Sequence, residues 1–340
     1  MKKGKAGKKP VLPDGTPSVN DRGSLKKVRV GTRESKLARI QTAMALAHLS
    51  GEFPDLEFEI IAITTGGDKV QDRPIAELGS QGVFVKELED ALYDNRVDMV
   101  VHSLKDLPTA MPHGLCLAAV LERADARDVL VSANGRRLQD LPEGSRVATS
   151  SRRRTAQLRN IRPDLSFCDI RGNIQTRLRK LDEGQCDAMV LAAAGLLRLT
   201  LPERISEYFE IERCTPAAGQ GALAIECRKG DVPILTLLQT IDDQAIRAAI
   251  SAERHFLDGL GGGCSVPVGA FAALRDDGSL CLTACVAALD GSVILRHAMT
   301  GKPGECITLG GAMVEHFYEL GAASILEGLR QSAPAAISPP

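Results

Sequence analysis

Twice along this chain an apolar strand runs straight into an amphipathic helix, and that repeated order constrains the fold more than any other feature. Residues 28–31 alternate as a short strand, Thr32-Arg33-Glu34-Ser35 follow, and residues 37–49 place apolar side chains at helical spacing, with Ser35 set to cap them. A strand at 58–63, a helix at 84–93 and a buried strand at 97–101 come next. That last strand runs on to Pro108, which disfavours helix at the residue before it. The order then recurs: strand 146–149, a helix opening at Ser150-Ser151-Arg152 and running through Asn160, strand 165–170, helix 174–181, and buried strand 186–191. Alternation of this kind predicts mainly parallel sheets. Its repetition predicts two similar doubly wound α/β domains facing one cleft, where ligands collect at the C-terminal strand ends.

The strand-like run 222–227, after Gly219-Gln220-Gly221, is expected to cross back and complete the first domain. Beyond about residue 243 the texture changes to a helix at 244–257, a glycine-rich stretch, three strand-like runs and helical material at 312–330. This predicts a small α+β third domain. The expected division is a disordered basic tail at 1–27, domain 1 at 28–125 with 220–240, domain 2 at 126–219, domain 3 at 241–331, and a disordered end at 332–340.

Charge narrows the ligand. From Arg152 to Lys180 there are nine basic residues against only Asp164 and Asp169, on a chain whose net charge is −1. Arginine dominates, and its planar fork pairs carboxylate or phosphate bidentately. A polyanion is implied. Nucleic acid fits poorly, because the chain is near neutral overall and aromatics, which would stack on bases, make up only 3% with no Trp. The nine cysteines form no CxxC pair and no Cys–His cluster, so neither a disulfide framework nor a metal site is indicated. Free thiols suit a reducing, cytoplasmic compartment. No run approaches the roughly 20 apolar residues of a membrane span. The first 27 residues lack the apolar core of a secretory signal and read as a solvated tail, with a nuclear or organellar address as the other reading.

Three places can carry chemistry. Thr149-Ser150-Ser151 opens a helix whose first turn holds three arginines, although the helix dipole disfavours each cation there by about 0.3–1 kcal/mol. An anion offsets that cost; a solvated basic face is the alternative. Arg33, Arg171 and Arg177 fall at equivalent junctions or in the next helical turns, whereas Arg159, Arg162 and Arg179 read as solvent-facing. Lys105-Asp106 follows a buried strand, where an ionised acid stabilises a developing cation or handles protons; mere neutralisation of Lys105 is the alternative. Cys264, behind three glycines, is either a covalent attachment point or an ordinary small core residue, with nothing nearby to make it a thiolate nucleophile.

Six motifs then occur in order. They are Val30-Gly31-Thr32-Arg33-Glu34-Ser35-Lys36-Leu37-Ala38, Val101-His102-Ser103-Leu104-Lys105-Asp106-Leu107-Pro108, Thr149-Ser150-Ser151-Arg152-Arg153-Arg154, Ile170-Arg171-Gly172-Asn173, Ala217-Ala218-Gly219-Gln220-Gly221-Ala222 and Gly262-Gly263-Cys264-Ser265-Val266-Pro267-Val268-Gly269. Over residues 28–330 the chain closely resembles the porphobilinogen deaminase, or hydroxymethylbilane synthase, family. The resemblance implies a monomer whose first two domains resemble type-II periplasmic binding proteins. It implies a dipyrromethane cofactor joined to Cys264 by a thioether. Four porphobilinogen units are added to that primer with loss of ammonia at each step, and the linear tetrapyrrole is then released by water. Each pyrrole carries an acetate and a propionate, which would be the polyanion. By motif, Asp106 matches the catalytic carboxylate, set against pyrrole N–H groups to stabilise the azafulvene-like cation left by deamination. Lys105, Asp106, Thr149, Ser150, Ser151, Arg153 and Arg154 match the cofactor-binding positions. Arg33, Ser35, Phe84, Arg171, Arg177, Arg198 and Gln220 match substrate- or chain-binding positions. Gln81, Arg152 and Gly261 depart from the family's usual Lys, Leu and acidic residue. A non-catalytic, hinge-bending anion-binding protein is the competing reading.

Overall fold

The structure is a computed structural model that describes residues 25–66, 85–261 and 266–331. Most of the two expected tails, together with Gln81, Phe84 and Cys264, lies outside the described residues.

The chain first lays down β1 (Lys27–Arg33), α1 (Lys36–Glu52), β2 (Glu57–Ile63), α2 (Lys86–Tyr93), β3 (Met99–Ser103) and β4 (Leu115–Val120). It then crosses to β5 (Asp128–Ser132), β6 (Arg146–Ala148), α3 (Arg152–Ile161), β7 (Ser166–Cys168), α4 (Ile174–Asp182), β8 (Ala188–Ala192), α5 (Ala193–Arg198) and β9 (Glu207–Tyr208). It returns through β10 (Leu223–Arg228), α6 (Val232–Gln239) and α7 (Gln244–Gly259). It ends in β11 (Val268–Leu274), β12 (Leu280–Ala287), β13 (Ile294–Gly301), α8 (Cys306–Glu319) and α9 (Ala322–Gln331).

The two five-stranded sheets have one plan. The first runs β2-β1-β3-β10-β4 and the second β7-β6-β8-β5-β9. In each, the second, first and third strands are parallel and the fourth is antiparallel to both neighbours. The odd strand is the one that arrives from the other domain: β5 enters after β4, and β10 comes back after β9. The first strand opens at Lys27, and Leu25 already packs on its core.

Helix periodicity explains how the sheets are covered. α1 buries Ala38, Thr42, Ala45, Leu46 and Leu49, spaced three and four apart, so one stripe faces the sheet. With Leu237 and Leu238 of α6 it closes one face of the first sheet; Leu88, Ala91 and Leu92 of α2 close the other. In the second sheet α4 and α5 take one face, and Leu158 of α3 takes the opposite one. The third domain is an antiparallel β11-β12-β13 sheet under α7, α8 and α9, with Phe256 and Phe317 meeting edge to face at 5.1 Å.

Only glycine fits the return crossing. Gly219 and Gly221 have φ of +74° and +91°, and a Cβ at Gly219 would fall 2.1 Å from Leu104 Cδ2. A Cβ at Gly221 would lie 2.4 Å from the Ala124 carbonyl oxygen, so the outbound and returning crossings press together.

Candidate active site

β3 ends in a single tight turn, Leu104–Asp106, closed by the Leu107 amide donating to the Leu104 carbonyl at 3.0 Å. Leu104 is fully buried, and its amide is tied to the Ala222 carbonyl at 3.1 Å, which pins the turn to the returning crossing. The next two side chains are therefore presented at the C-terminal end of the sheet. Asp106 is exposed there; Lys105 is half-buried, and burial followed by the Arg154 charge brings its ammonium down to about 8.

Across the cleft, Ser151 caps α3 by accepting from the Arg154 amide at 3.4 Å, and Thr149 Oγ1 accepts from the Ser151 amide. Ser150 Oγ donates to the Ile170 carbonyl at 2.9 Å and accepts from the Ile170 amide, holding the following Arg171 loop against the helix start. Arg153 and Arg154 turn inward. Arg153 Nη1 donates to Asp128 Oδ2 at 2.7 Å and to the Thr215 carbonyl; Arg154 donates through Nε and Nη2 to Asp128 Oδ1 at 3.0 and 2.7 Å. Asp128 is fully buried. Burial alone would raise its carboxyl, but the two guanidinium groups overcome this and hold it well below the usual carboxylate range.

Gln220 joins the two walls. Its Nε2 donates to Asp128 Oδ1 at 2.8 Å, while its Oε1 accepts from Lys105 Nζ at 3.3 Å. A continuous polar chain thus runs from the Lys105 turn, through Gln220 on the return crossing, to the arginines of α3.

Arg177 and Arg198 have no carboxylate hydrogen-bonded to them among the described residues. Arg177, on α4, donates through Nε to the Gly172 carbonyl at 2.8 Å; burial, then Arg154 and Arg171, lowers it to about 10, with Asp106 near enough to pull the other way. Arg198, at the end of α5, is lowered to about 10 by burial; its Nη2 reaches the Gly221 carbonyl, and its buried Nε finds no partner. Arg33 ends β1 and Ser35 caps α1 through the Ala38 amide at 3.2 Å. The beginning of α1 abuts α5, since Leu37 lies against Gly195.

Comparison with known proteins decides what this cleft belongs to. The family described as porphobilinogen deaminase, dipyromethane cofactor binding domain, matches residues 28–236, and the porphobilinogen deaminase C-terminal domain matches residues 248–319. The chain belongs to the porphobilinogen deaminase family. The porphobilinogen deaminase of Roseiflexus castenholzii is 49% identical over 299 residues, covering 88% of this chain and 98% of that one. That of Desulforudis audaxviator is 47% identical over 308 residues, covering 91% and 99%. Among solved structures, the VFT2 domain of Bordetella pertussis BvgS (double mutant) aligns at a TM-score of 0.41 and 16% identity, over 65% of this chain and 89% of that one, too slight a likeness to argue from.

The cleft fits the polycarboxylate cofactor of porphobilinogen deaminases on its own terms. Lys105, Arg177 and Arg198 are desolvated cations without a carboxylate hydrogen-bonded to them among the described residues, and Arg198 Nε is an orphaned donor. Such groups are costly unless a ligand anion meets them. No group of metal-ligating side chains occurs among the described residues.

Two expectations fail. Arg162 is not solvated: it grips Asp164 at 2.7 and 2.6 Å and donates to the carbonyls of Leu138, Gln139 and Leu141. Arg159 reaches the Leu289 carbonyl in the β12–β13 turn and lies 5.4 Å over the Phe167 ring. Arg179 is exposed and pairs with Glu183 one turn on, as its position suggested.

Sequence reasoning overlooked Asp128, Glu253 and Arg254. Glu253 is fully buried and accepts from the Gly219 amide, the Ala272 amide and Arg123. Its neighbour Arg254 donates to the Pro108 and Thr109 carbonyls at 2.6 and 2.9 Å. α7, which ends at Gly259 shortly before Cys264 in sequence, is thereby fixed to the return crossing and to the segment after Asp106. The available signals were an acid opening an apolar strand (Asp128-Val129-Leu130-Val131) and adjacent opposite charges inside an amphipathic helix.

Proposed function

We propose that this chain is a cytoplasmic, monomeric porphobilinogen deaminase, a transferase that condenses four porphobilinogen units and releases hydroxymethylbilane. The observation that carries the reading is the set of desolvated cations, Lys105, Arg177 and Arg198, on elements that surround the Asp106 turn. They are suited to a row of acetate and propionate groups. A dipyrromethane held on Cys264 would supply the free pyrrole carbon on which the chain starts.

The protein's own residues do the rest. Asp106 is an exposed carboxyl group near Arg177; it accepts from pyrrole N–H and stabilises the positive charge that grows as ammonia leaves. Lys105 stands one residue away as a carboxylate donor whose lowered pKa recovers when an anion arrives. Arg153 and Arg154, with Thr149, Ser150 and Ser151, form the polar wall toward the cofactor. Arg33, Ser35, Phe84, Arg171, Arg177, Arg198 and Gln220 receive substrate or guide the growing chain. Gly219 and Gly221 supply the backbone freedom for the two walls to move as that chain lengthens.

The test is an intact mass spectrum of the purified chain before and after porphobilinogen. The expected result is a dipyrromethane adduct on Cys264, stepwise growth on adding substrate, and neither in Cys264→Ser. An unmodified wild-type protein, or an adduct on another cysteine, overturns the assignment.

A further inference from the structure

Cys116 on the edge strand β4 stands directly opposite Cys227 on β10. The Lys229 amide donates to the Gly114 carbonyl at 2.8 Å, which sets the phase of this antiparallel pair. Two residues inward, Cys116 and Cys227 are again a hydrogen-bonded pair, with α-carbons about 5.5 Å apart in such ladders. A disulfide spans about 4.4–6.8 Å. Facing residues of paired strands project to one side of the sheet, here toward the core beneath α6. Cys227 is fully buried in that core, while Cys116 is part-exposed and lines an outer groove with Met111, His113 and Lys229. The Cys116 thiol reaches the backbone carbonyl of Cys227 at 3.7 Å, so it lies directly over its partner residue.

We propose that Cys116 and Cys227 form a redox-active dithiol, in which the accessible Cys116 is oxidised by a hydroperoxide and the buried Cys227 closes the disulfide. The Cys116 thiolate attacks the outer peroxide oxygen; the O–O bond breaks, the hydroperoxide leaves as water or an alcohol after taking a proton, and Cys116 becomes a sulfenic acid. The Cys227 sulfur then attacks the Cys116 sulfur, forming the S–S bond and expelling water, with the Cys227 proton leaving on that water. The two thiols are oxidised together by two electrons, and the peroxide is reduced by two.

The local charges favour this division of labour. The neighbouring Cys227 side chain brings Cys116 down to about 7 against the cost of burial; Lys229 and Arg247 help, and Glu226 opposes. The Cys227 thiol is itself pushed up by Cys116 and by burial, so it stays protonated until called on. Elsewhere burial raises Cys186 and Cys285 to about 11 and Cys214 to about 12, so those thiols stay inert. The bridge would join the strand that leaves for the second domain to the strand that returns from it.

The experiment treats reduced holoenzyme with hydrogen peroxide, blocks remaining thiols and maps peptides without reduction. A Cys116–Cys227 linked peptide, lighter by two hydrogens and lost on dithiothreitol treatment, is expected. In Cys227→Ala, dimedone should instead trap a sulfenic acid on Cys116, and Cys116→Ala should show neither product. Alkylation of Cys116 by iodoacetamide should be half-maximal near pH 7, well below the other free cysteines. The proposal is overturned if no linked peptide forms, if Cys116 pairs elsewhere, or if its alkylation profile matches that of another part-exposed thiol such as Cys281.

Discussion

Arg153 and Arg154 are buried as deeply as the apolar core around them and share an ionised Asp128, whereas Lys105, Arg177 and Arg198 stand around the same cleft with no carboxylate hydrogen-bonded to them among the described residues. The first group is satisfied by the fold. The second is left under-solvated by it. A guanidinium that completes a buried ion pair contributes mainly to the integrity of the domain, because removing either partner strands a charge. A guanidinium whose pKa is lowered by burial is held at a cost that only an incoming anion relieves. One residue type in one cleft thus divides into groups that hold the wall and groups that await the ligand.

The largest expected effect tests the satisfied group. Asp128→Asn leaves Arg153 and Arg154 buried without their counter-charge, a loss of about 3–5 kcal/mol of stability. Thermal or urea unfolding should show it; an unchanged midpoint would mean the pair contributes nothing to the fold. Asp106→Asn sits at the opposite extreme, being exposed, so its melting temperature should stay at the wild-type value. Its turnover should nevertheless fall by about 10²–10³-fold, the scale on which a single charge-stabilising group acts in a closed site. Near-normal rates would place the chemistry elsewhere.

The unsatisfied cations should show themselves through ligand and pH. In a Cys264→Ala apoprotein, Arg177→Gln should weaken binding of a dipyrrole tetracarboxylate by about 10–100-fold, the worth of a charged hydrogen bond, with no loss of stability. The same binding should weaken as pH rises through about 8, the lowered value for Lys105. The sign follows from linkage: the free protein gives up the Lys105 proton above that pH, and the bound state wants it back. Calorimetry in two buffers of different ionisation heat should find proton uptake on binding near pH 8. A pH-independent affinity would remove Lys105 from the ligand. The smallest contrast is Arg162→Gln against Arg179→Gln. The first loses several carbonyl partners and should cost about 1–2 kcal/mol, while the second, on an exposed helix face, should cost close to nothing.

Much of this was readable in the residues. The strands at β1, β3, β6 and β8 and the helices behind them follow from periodicity alone, because each is a local pattern with one buried stripe. The charge pattern also posed a demand, since cations in a first helical turn call for an anion. Part of the answer is Asp128, some 25 residues upstream, and no local pattern reports a partner so far away. β4, β5 and α6 were not delimited, since their burial comes from the exchange of strands between domains. The helical material expected at 312–330 divides into α8 and α9 at Gly321, whose φ of +93° stops the first helix.

The strand exchange also sets an order of assembly during synthesis. β10 lies between β3 and β4, yet it is made only after the whole second domain. A nascent chain that has emerged as far as β9 therefore carries a first sheet with a gap where its fourth strand belongs, with β3 showing a bare edge and β4 unattached. The second sheet has no such gap, because β5 precedes its other strands. On the ribosome the later domain can close first, and the earlier one waits, open along that edge, for six residues to thread into place.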